Sequence, residues 1–231
     1  MAKIAIIPAR GGSKRIPKKN IKLFLGKPII AYSIEAALDS NLFDEVMVST
    51  DSKEIANIAE QYGASVPFYR SSENSSDYST TVDVLLEVIS QFKLQGRYFE
   101  QGCCIYPSAP LVTKSLINNC YNTLEKGNWD TVFPGVEYNH PIDRAFFVKK
   151  QGGMVMINDD NKLKRTQDLE QAFYDSGQLY WFKTDKLILK KTLFTDNTGV
   201  VKVSEMDVQD IDNLVDFTLA EMKYKYQRNV S

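Results

Sequence analysis

The sequence predicts an α/β fold: a mostly parallel sheet with helices on both faces, and one small hairpin-bearing insertion. Three observations predict it. Short, continuous apolar runs such as Lys3–Ile7 and Cys103–Tyr106 read as strands buried on both faces. Amphipathic stretches of helical period separate them, and strand–helix alternation is the pattern of a parallel sheet. The alternation breaks once, after Val136, and resumes near Gln178.

The elements follow in order. Lys3–Ile7 is the first strand, ended by Pro8. Pro28 opens a helix with Ile30, Ile34, Ala37 and Leu38 on one face. Glu45–Ser49 is the second strand. Asp51, with Glu54 three residues on, is placed to cap a helix that turns Ile55, Ala56, Ala59 and Tyr62 inward and stops at Gly63. A short third strand is expected near Val66–Tyr69, followed by a polar loop, Ser71–Thr80. The next helix presents Val82, Leu85, Leu86 and Ile89. Cys103–Tyr106 is a strand; Leu116, Ile117, Cys120, Tyr121 and Leu124 mark a helix, and Thr131–Val136 a strand. Ala145–Lys149 and Met154–Ile157 flank Gly152-Gly153 as a hairpin, so the stretch from about 138 to 174 reads as an insertion into a single domain of residues 1–231. Gln178–Lys183 resumes the strand pattern, with Trp181 facing the core and Tyr180 and Phe182 the other way. A strand near Val200 and a helix from about Asn213 close the chain.

Composition removes several classes. Apolar residues make up 43% and charged residues 25%, ordinary values for a globular chain. A net charge of -1 supplies no global basic field for nucleic acid or an anionic membrane. No apolar run reaches the roughly 18–20 residues that span a bilayer, and the N-terminus lacks a signal-peptide pattern. Cys103, Cys104 and Cys120 have no zinc-ligand spacing and read as buried, reduced thiols, which makes the cytoplasm the expected location.

Positive charge is instead local. Pro8–Asn20 packs five cationic residues and two glycines into thirteen positions directly after the first strand. In a parallel sheet ligands bind beyond the carboxyl ends of the strands, which is where this loop falls. Gly11 and Gly12 let backbone N–H groups approach a phosphate, and arginine and lysine bring matching charge. The competing reading is a solvated charged loop. Neither G-x-G-x-x-G nor G-x-x-x-x-G-K-[ST] is present, which argues against a dinucleotide oxidoreductase and a P-loop ATPase.

Asp210-Ile211-Asp212 is the second constellation. In an extended segment the two carboxylates point the same way and can approach one divalent ion, with phosphate oxygens and water completing its shell, as Mg²⁺ prefers. The alternative is that Asp212 only caps the helix that follows. The single histidine, His140, next to Pro141, reads as structural.

Together these residues resemble the CMP-sialic acid synthetase family of cytidylyltransferases. The resemblance rests on Arg10-Gly-Gly-Ser-Lys-Arg-Ile-Pro-Lys-Lys-Asn20, Val48-Ser-Thr-Asp51, Ser76-Asp77, Tyr106-Pro-Ser-Ala-Pro110, His140-Pro141 and Val208-Gln-Asp-Ile-Asp212, in order along nearly the whole chain. Sialic acid enzymes usually carry Gln-Pro-Thr-Ser-Pro-Leu-Arg where this chain has Tyr106-Pro-Ser-Ala-Pro-Leu-Val112. That difference, with Arg165-Thr-Gln-Asp-Leu-Glu170, Tyr174–Phe182 and Phe194–Thr198, is similar to the pseudaminic acid branch.

The resemblance implies a Rossmann-like sheet of the nucleotide-diphospho-sugar transferase type. It implies transfer of CMP from CTP to the anomeric hydroxyl of a nonulosonic acid, pseudaminic acid ahead of sialic, legionaminic or ketodeoxyoctulosonic acid, with release of pyrophosphate. Arg10 and Lys19 would hold the triphosphate. Ala9, Gly11, Gly12, Ser13, Asn20, Ser71, Asp77 and Thr80 would line the nucleotide, and Asp210 and Asp212 would bind Mg²⁺. Tyr106, Arg165, Gln167, Asp175, Gly177, Gln178 and Tyr180 would shape the sugar site. It further implies a homodimer in which the insertion reaches over the partner's site. The base for the sugar hydroxyl stays open between Asp212 and a metal-bound water. Two other classes share parts of the pattern. A GT-A glycosyltransferase carries its D-x-D mid-chain and lacks a basic N-terminal loop; a nucleotide-sensing protein would have no need of Arg10, Lys19, Asp210 and Asp212 together.

Overall fold

The computed structural model describes residues 1–228. Eleven strands and six helices follow in chain order: β1 (Lys3–Pro8), β2 (Leu23–Phe24), β3 (Lys27–Pro28), α1 (Ile29–Ser40), β4 (Glu45–Ser49), α2 (Lys53–Gln61), α3 (Thr81–Leu94), β5 (Gln101–Ile105), α4 (Lys114–Gly127), β6 (Thr131–Glu137), β7 (Phe146–Val148), β8 (Met154–Met156), β9 (Phe173–Asp175), β10 (Leu179–Lys183), α5 (Thr184–Lys190), β11 (Thr198–Val203) and α6 (Leu214–Arg228). Among them no helix is long and apolar enough to cross a membrane.

Seven strands form the central sheet in the order β11-β6-β10-β5-β1-β4, with β9 paired to β6. β4, β1 and β5 run parallel, as do β6 and β11, whereas β10 is antiparallel to both β5 and β6. The reason is the insertion. It leaves from the carboxyl end of β6 and returns there, where β9 pairs with Gly135–Glu137. The strand it feeds must therefore run back through the sheet. β7 and β8 form the expected hairpin around Gly152-Gly153, apart from the sheet.

Side-chain alternation builds two core layers. Ala5 and Ile7 of β1, with Leu179 and Trp181 of β10, meet α1, α2 and α4 on one face. Ile4 and Ile6, with Tyr180 and Phe182, meet α3 and α5 on the other. Trp181 is core as expected, but so are its neighbours, because both faces are covered. A third cluster joins Ile16, Phe24, Ile29, Tyr32, Ile211 and Phe217 under α6. Lying between the sheet and α6, α1 is buried nearly all round, and Leu38 alone of its expected inward residues stands out.

Several local expectations change. Val66–Tyr69 is not a strand: the edge of β4 makes only the Met47–Ser65 bridge, and Pro67 has no N–H to continue it. The cap of α2 is Ser52, whose Oγ accepts from Ile55 N at 3.4 Å; Asp51 is used elsewhere. The buried face of α3 is Val84, Leu85, Val88 and Phe92, so Val82, Leu86 and Ile89 sit at its margins.

Candidate active site

A cavity of about 390 Å³ opens at the carboxyl ends of the parallel strands, lined by the loop after β1, the loop before α3, the turn after β5 and the segment before α6. The basic loop and the acidic pair, almost two hundred residues apart in sequence, converge on it. Lys19 Nζ donates to the carbonyl of Ile211, between the two acids, at 2.7 Å. Arg15 Nη1 lies 2.7 Å from Asp212 Oδ2.

The loop is shaped by its neighbours. Ala9 N–H donates to Ser49 O at 2.9 Å and Gly11 N–H to Asp51 Oδ1 at 2.8 Å. A Cβ on Gly11 would stand 3.2 Å from that of Ser52, a close approach that favours glycine. Gly12 faces open space. Asn20 Nδ2 donates to Arg10 O at 3.0 Å, tying the loop's two ends together. Arg10 lies 2.8 Å from Asp77 Oδ1 and donates to Ser76 O at 3.1 Å; Lys14 also pairs with Asp77. The Lys14 hydrogen bond holds the Asp77 carboxyl below its ordinary value.

Around the acids, Ile211 is fully buried in the third cluster, which leaves its neighbours on either side facing the cavity. Asp212 is not the helix cap. Asn213 Oδ1 accepts from Val215 N and Asp216 N at 2.8 and 3.1 Å, while Asp216 Oδ2 accepts from the N–H of Asp212 and Asn213. Burial, then the adjacent Asp212 charge, pushes the Asp210 carboxyl above its ordinary range. Burial also pulls the Lys19 ammonium down, against the opposing effect of Asp210 and Asp212. Among the described residues no group of three or more His, Cys, Asp or Glu side chains is arranged to hold a metal. Two carboxylates beside a phosphate-sized cradle do suit Mg²⁺, which takes one or two carboxylates and completes its shell with phosphate and water.

The expected residues divide clearly. Arg10, Ser13, Lys19, Asn20, Asp77, Thr80, Tyr106, Asp210 and Asp212 line the cavity. Ala9 does not: its side chain is fully buried in the core and its N–H is taken. Gly11 borders a smaller adjoining recess. Ser71 instead organises the loop, donating from N and Oγ to Glu87 at 2.8 and 3.0 Å.

The expected sugar residues other than Tyr106 lie outside the cavity lining. Tyr180 is buried and donates to the Asp175 carboxylate, whose other oxygen accepts from Gly177 N–H at 3.0 Å. Gly177 takes a left-handed φ of 63° and backs directly onto Asp210. Gln178, buried, donates to Asp207 O at 2.9 Å. Arg165 closes a two-point pair with Asp168 on the exposed insertion, and Gln167 shares that turn. Tyr106 does line the cavity, its hydroxyl 3.0 Å from Thr81 Oγ1 and its ionisation pushed up by burial to about 12.

Arg70 was not expected. It is 8% exposed, lines the cavity floor, and donates through Nε to Ser49 Oγ at 3.0 Å and through Nη2 to Ser49 O. Among the described residues it makes no salt bridge, so its charge faces the cavity with only carbonyl and hydroxyl partners. In sequence it is a lone arginine after an apolar run; only the fold over Ser49 reveals it.

A parallel-rich α/β sheet with a cationic loop and paired acids at its carboxyl edge defines a nucleotide-binding protein of the nucleotidyltransferase class. Comparison with known proteins narrows this. The family model for cytidylyltransferases matches residues 4–230, and the chain belongs to that family. It is 39% identical over 226 residues to the pseudaminic acid cytidylyltransferase of Campylobacter jejuni subsp. jejuni serotype O:2, covering 97% of both chains. It is 31% identical to the CMP-N,N'-diacetyllegionaminic acid synthase of Legionella pneumophila, covering 94% of each. In fold it is similar to a CMP:2-keto-3-deoxy-manno-octonic acid synthetase solved with CTP, with a TM-score of 0.72 and 16% identity over 99% of this chain and 100% of that one.

Proposed function

We propose that this cytidylyltransferase joins CMP from CTP to the anomeric hydroxyl of pseudaminic acid. The observation that carries the reading is the meeting of the basic loop and the acidic pair in one cavity, with Lys19 bonded between Asp210 and Asp212. The identity to pseudaminate enzymes over almost the full length, and Tyr106 at the cavity wall, favour this sugar among the nonulosonic acids.

The sugar hydroxyl attacks the α-phosphorus and gives up its proton to Asp212 or to water; the new O–P bond forms as the α–β bond breaks, and pyrophosphate leaves with the bonding pair. Such a transfer needs position and charge neutralisation more than covalent help. Arg10, Lys14 and Arg15 bring cations to the triphosphate, and Lys19 neutralises charge gathering at the reacting phosphate. Arg70 and the Asn20 amide offer donors to the rest of the nucleotide, while Thr80, whose N–H and Oγ1 both donate to Asp83, caps α3 at the cavity wall. Asp210 and Asp212 would hold Mg²⁺, which screens the triphosphate and the departing pyrophosphate.

The cavity is open where the sugar would sit, because residues 138–174 of the same chain do not line it. Phe146, Phe147, Val148 and Met154 of the β7–β8 hairpin stand exposed together, an apolar patch of the kind that marks an interface. A homodimer, with each insertion bringing Arg165 and Gln167 over its partner's cavity, accounts for both features. The three cysteines are buried and unpaired, in keeping with work in the cytoplasm, where CTP is made.

A coupled pyrophosphate assay with CTP against pseudaminate, legionaminate, sialate and ketodeoxyoctulosonate tests the reading. Fastest turnover with pseudaminate is expected. CTP binding without turnover on any of the four would replace the enzyme with a sensor.

A further inference from the structure

The segment between β11 and α6 holds one short 3-10 turn, Glu205–Asp207, in which Asp207 N–H donates to Ser204 O at 2.9 Å and Met206 N–H to Ser204 Oγ at 3.2 Å, and side chains satisfy its carbonyls one after another. Lys223 Nζ donates to Glu205 O at 2.8 Å and to Val208 O at 2.7 Å. Gln227 Nε2 donates to Met206 O at 3.0 Å, and to Asp207 Oδ1 at 2.8 Å. Gln178 Nε2 takes Asp207 O. Four successive carbonyls, 205 to 208, are thus held from outside, two residues before Asp210. Lys223 and Gln227 lie four apart on α6, on the same face.

Lys223 is the unusual member. Among the described residues it makes no salt bridge, and burial pulls its ammonium below the ordinary lysine value. A lysine on a helix surface ordinarily keeps its head group in water. Here the partly buried head group bridges two carbonyls three residues apart and pins that turn to α6. A segment with a single turn and no ladder of its own takes its position from such contacts. Beyond the turn, Lys19 holds Ile211 O, and Asp216 holds the Asp212 N–H. Backbone is restrained on both sides of Asp210 and Asp212, and the two carboxylates are left to face the cavity.

We propose that Lys223 is a positioning residue for the acidic pair: by pinning the Glu205–Val208 segment to α6 it sets the spacing at which Asp210 and Asp212 meet a divalent cation. The inference rests on the reading of that pair as the Mg²⁺ site. Groups that orient metal ligands without touching the metal typically change metal affinity about 10–100-fold when removed.

The test compares wild type, Lys223→Met and Lys223→Arg in three measurements on the full chain. Amide hydrogen exchange over residues 205–212 is read without nucleotide or metal, CTP binding is read without metal, and turnover is titrated with Mg²⁺. Lys223→Met is expected to speed exchange in that segment and raise half-saturating Mg²⁺ about tenfold. CTP affinity should hold, and added Mg²⁺ should restore most of the rate. Lys223→Arg, which can reach both carbonyls, should recover the wild-type titration. An unchanged Mg²⁺ titration in Lys223→Met, or a rate loss that Mg²⁺ does not restore, overturns the proposal. Should Lys223→Met fail to fold, Gln227→Ala removes a neighbouring tie and should shift the same titration by a smaller factor; no shift there also counts against it. Wild-type turnover without any Mg²⁺ dependence would instead remove the metal reading beneath it, an outcome distinct from the others.

Discussion

Lys19 and Asp210 show how much the chemistry of this site depends on single side chains. Lys19 combines the cavity's cationic role with a bond to Ile211 O. Replacing it with alanine should lower turnover by about 10²–10³-fold, the usual loss when one charge-stabilising donor is removed. Circular dichroism should stay unchanged; wild-type turnover in this variant would end its assignment to phosphate. Asp210 titrates above the ordinary carboxylate value. The folded protein therefore binds a proton there more readily than the unfolded chain, and the group's contribution to stability improves as pH falls through its folded value. On the proposed reading of the pair as the Mg²⁺ site, the ion would compete with that proton, and Mg²⁺ affinity should weaken over the same interval. Asp210→Asn should abolish this pH dependence and raise the metal-free melting temperature at neutral pH by about 1–3 °C, a modest figure because the group is half exposed. Calorimetric melting and Mg²⁺ titration across pH check both. Of the site, Arg10, Lys19, Asp210 and Asp212 were legible because charge density and spacing are written along the chain. Arg70 and Asp51 were not, since each acquires its role from a partner, Ser49 or Gly11, that only folding brings near.

At the scale of elements, the sequence shows length and apolar period but not direction. β10 reads like any other buried strand; its reversal follows from where the insertion leaves and rejoins the sheet. Val66–Tyr69 has strand-forming residues but reaches an edge where Pro67 stops the pairing. Tight packing between strands yields a direct test. A methyl at Gly102 of β5 would clash with the ring of Phe182, and Phe182 is fully buried. Gly102→Ala should cost about 1–3 kcal/mol by overpacking, read as an earlier midpoint in urea; an unchanged midpoint would show that β10 can shift. The β7–β8 hairpin carries the other test. Phe147, in the middle of β7, is 67% exposed. Phe147→Asp should weaken self-association at least tenfold in sedimentation and reduce turnover with it, while the melting curve of the isolated chain holds. Full self-association in that variant would move the interface elsewhere.

For the molecule as a whole, the two-sided sheet and the position of the cavity at its carboxyl edge were both legible, because alternation and strand burial are properties of the entire chain. What the sequence does not display is the resting state of the charges. Within the cavity Arg10 and Lys14 lean on Asp77, and Arg15 leans on Asp212. Three of the cavity's cations are thus held by carboxylates and must exchange partners before they meet an anion, whereas Arg70 has, among the described residues, no carboxylate to leave. A small anion displaces one such contact and gains little. A triphosphate arriving with its cation can free Asp77, draw Arg15 away, and give Asp212 a new countercharge in the same event. Internal pairing of this kind would act as a threshold against small anions, and on the proposed Mg²⁺ reading of Asp212 it would tie nucleotide and metal entry to one another.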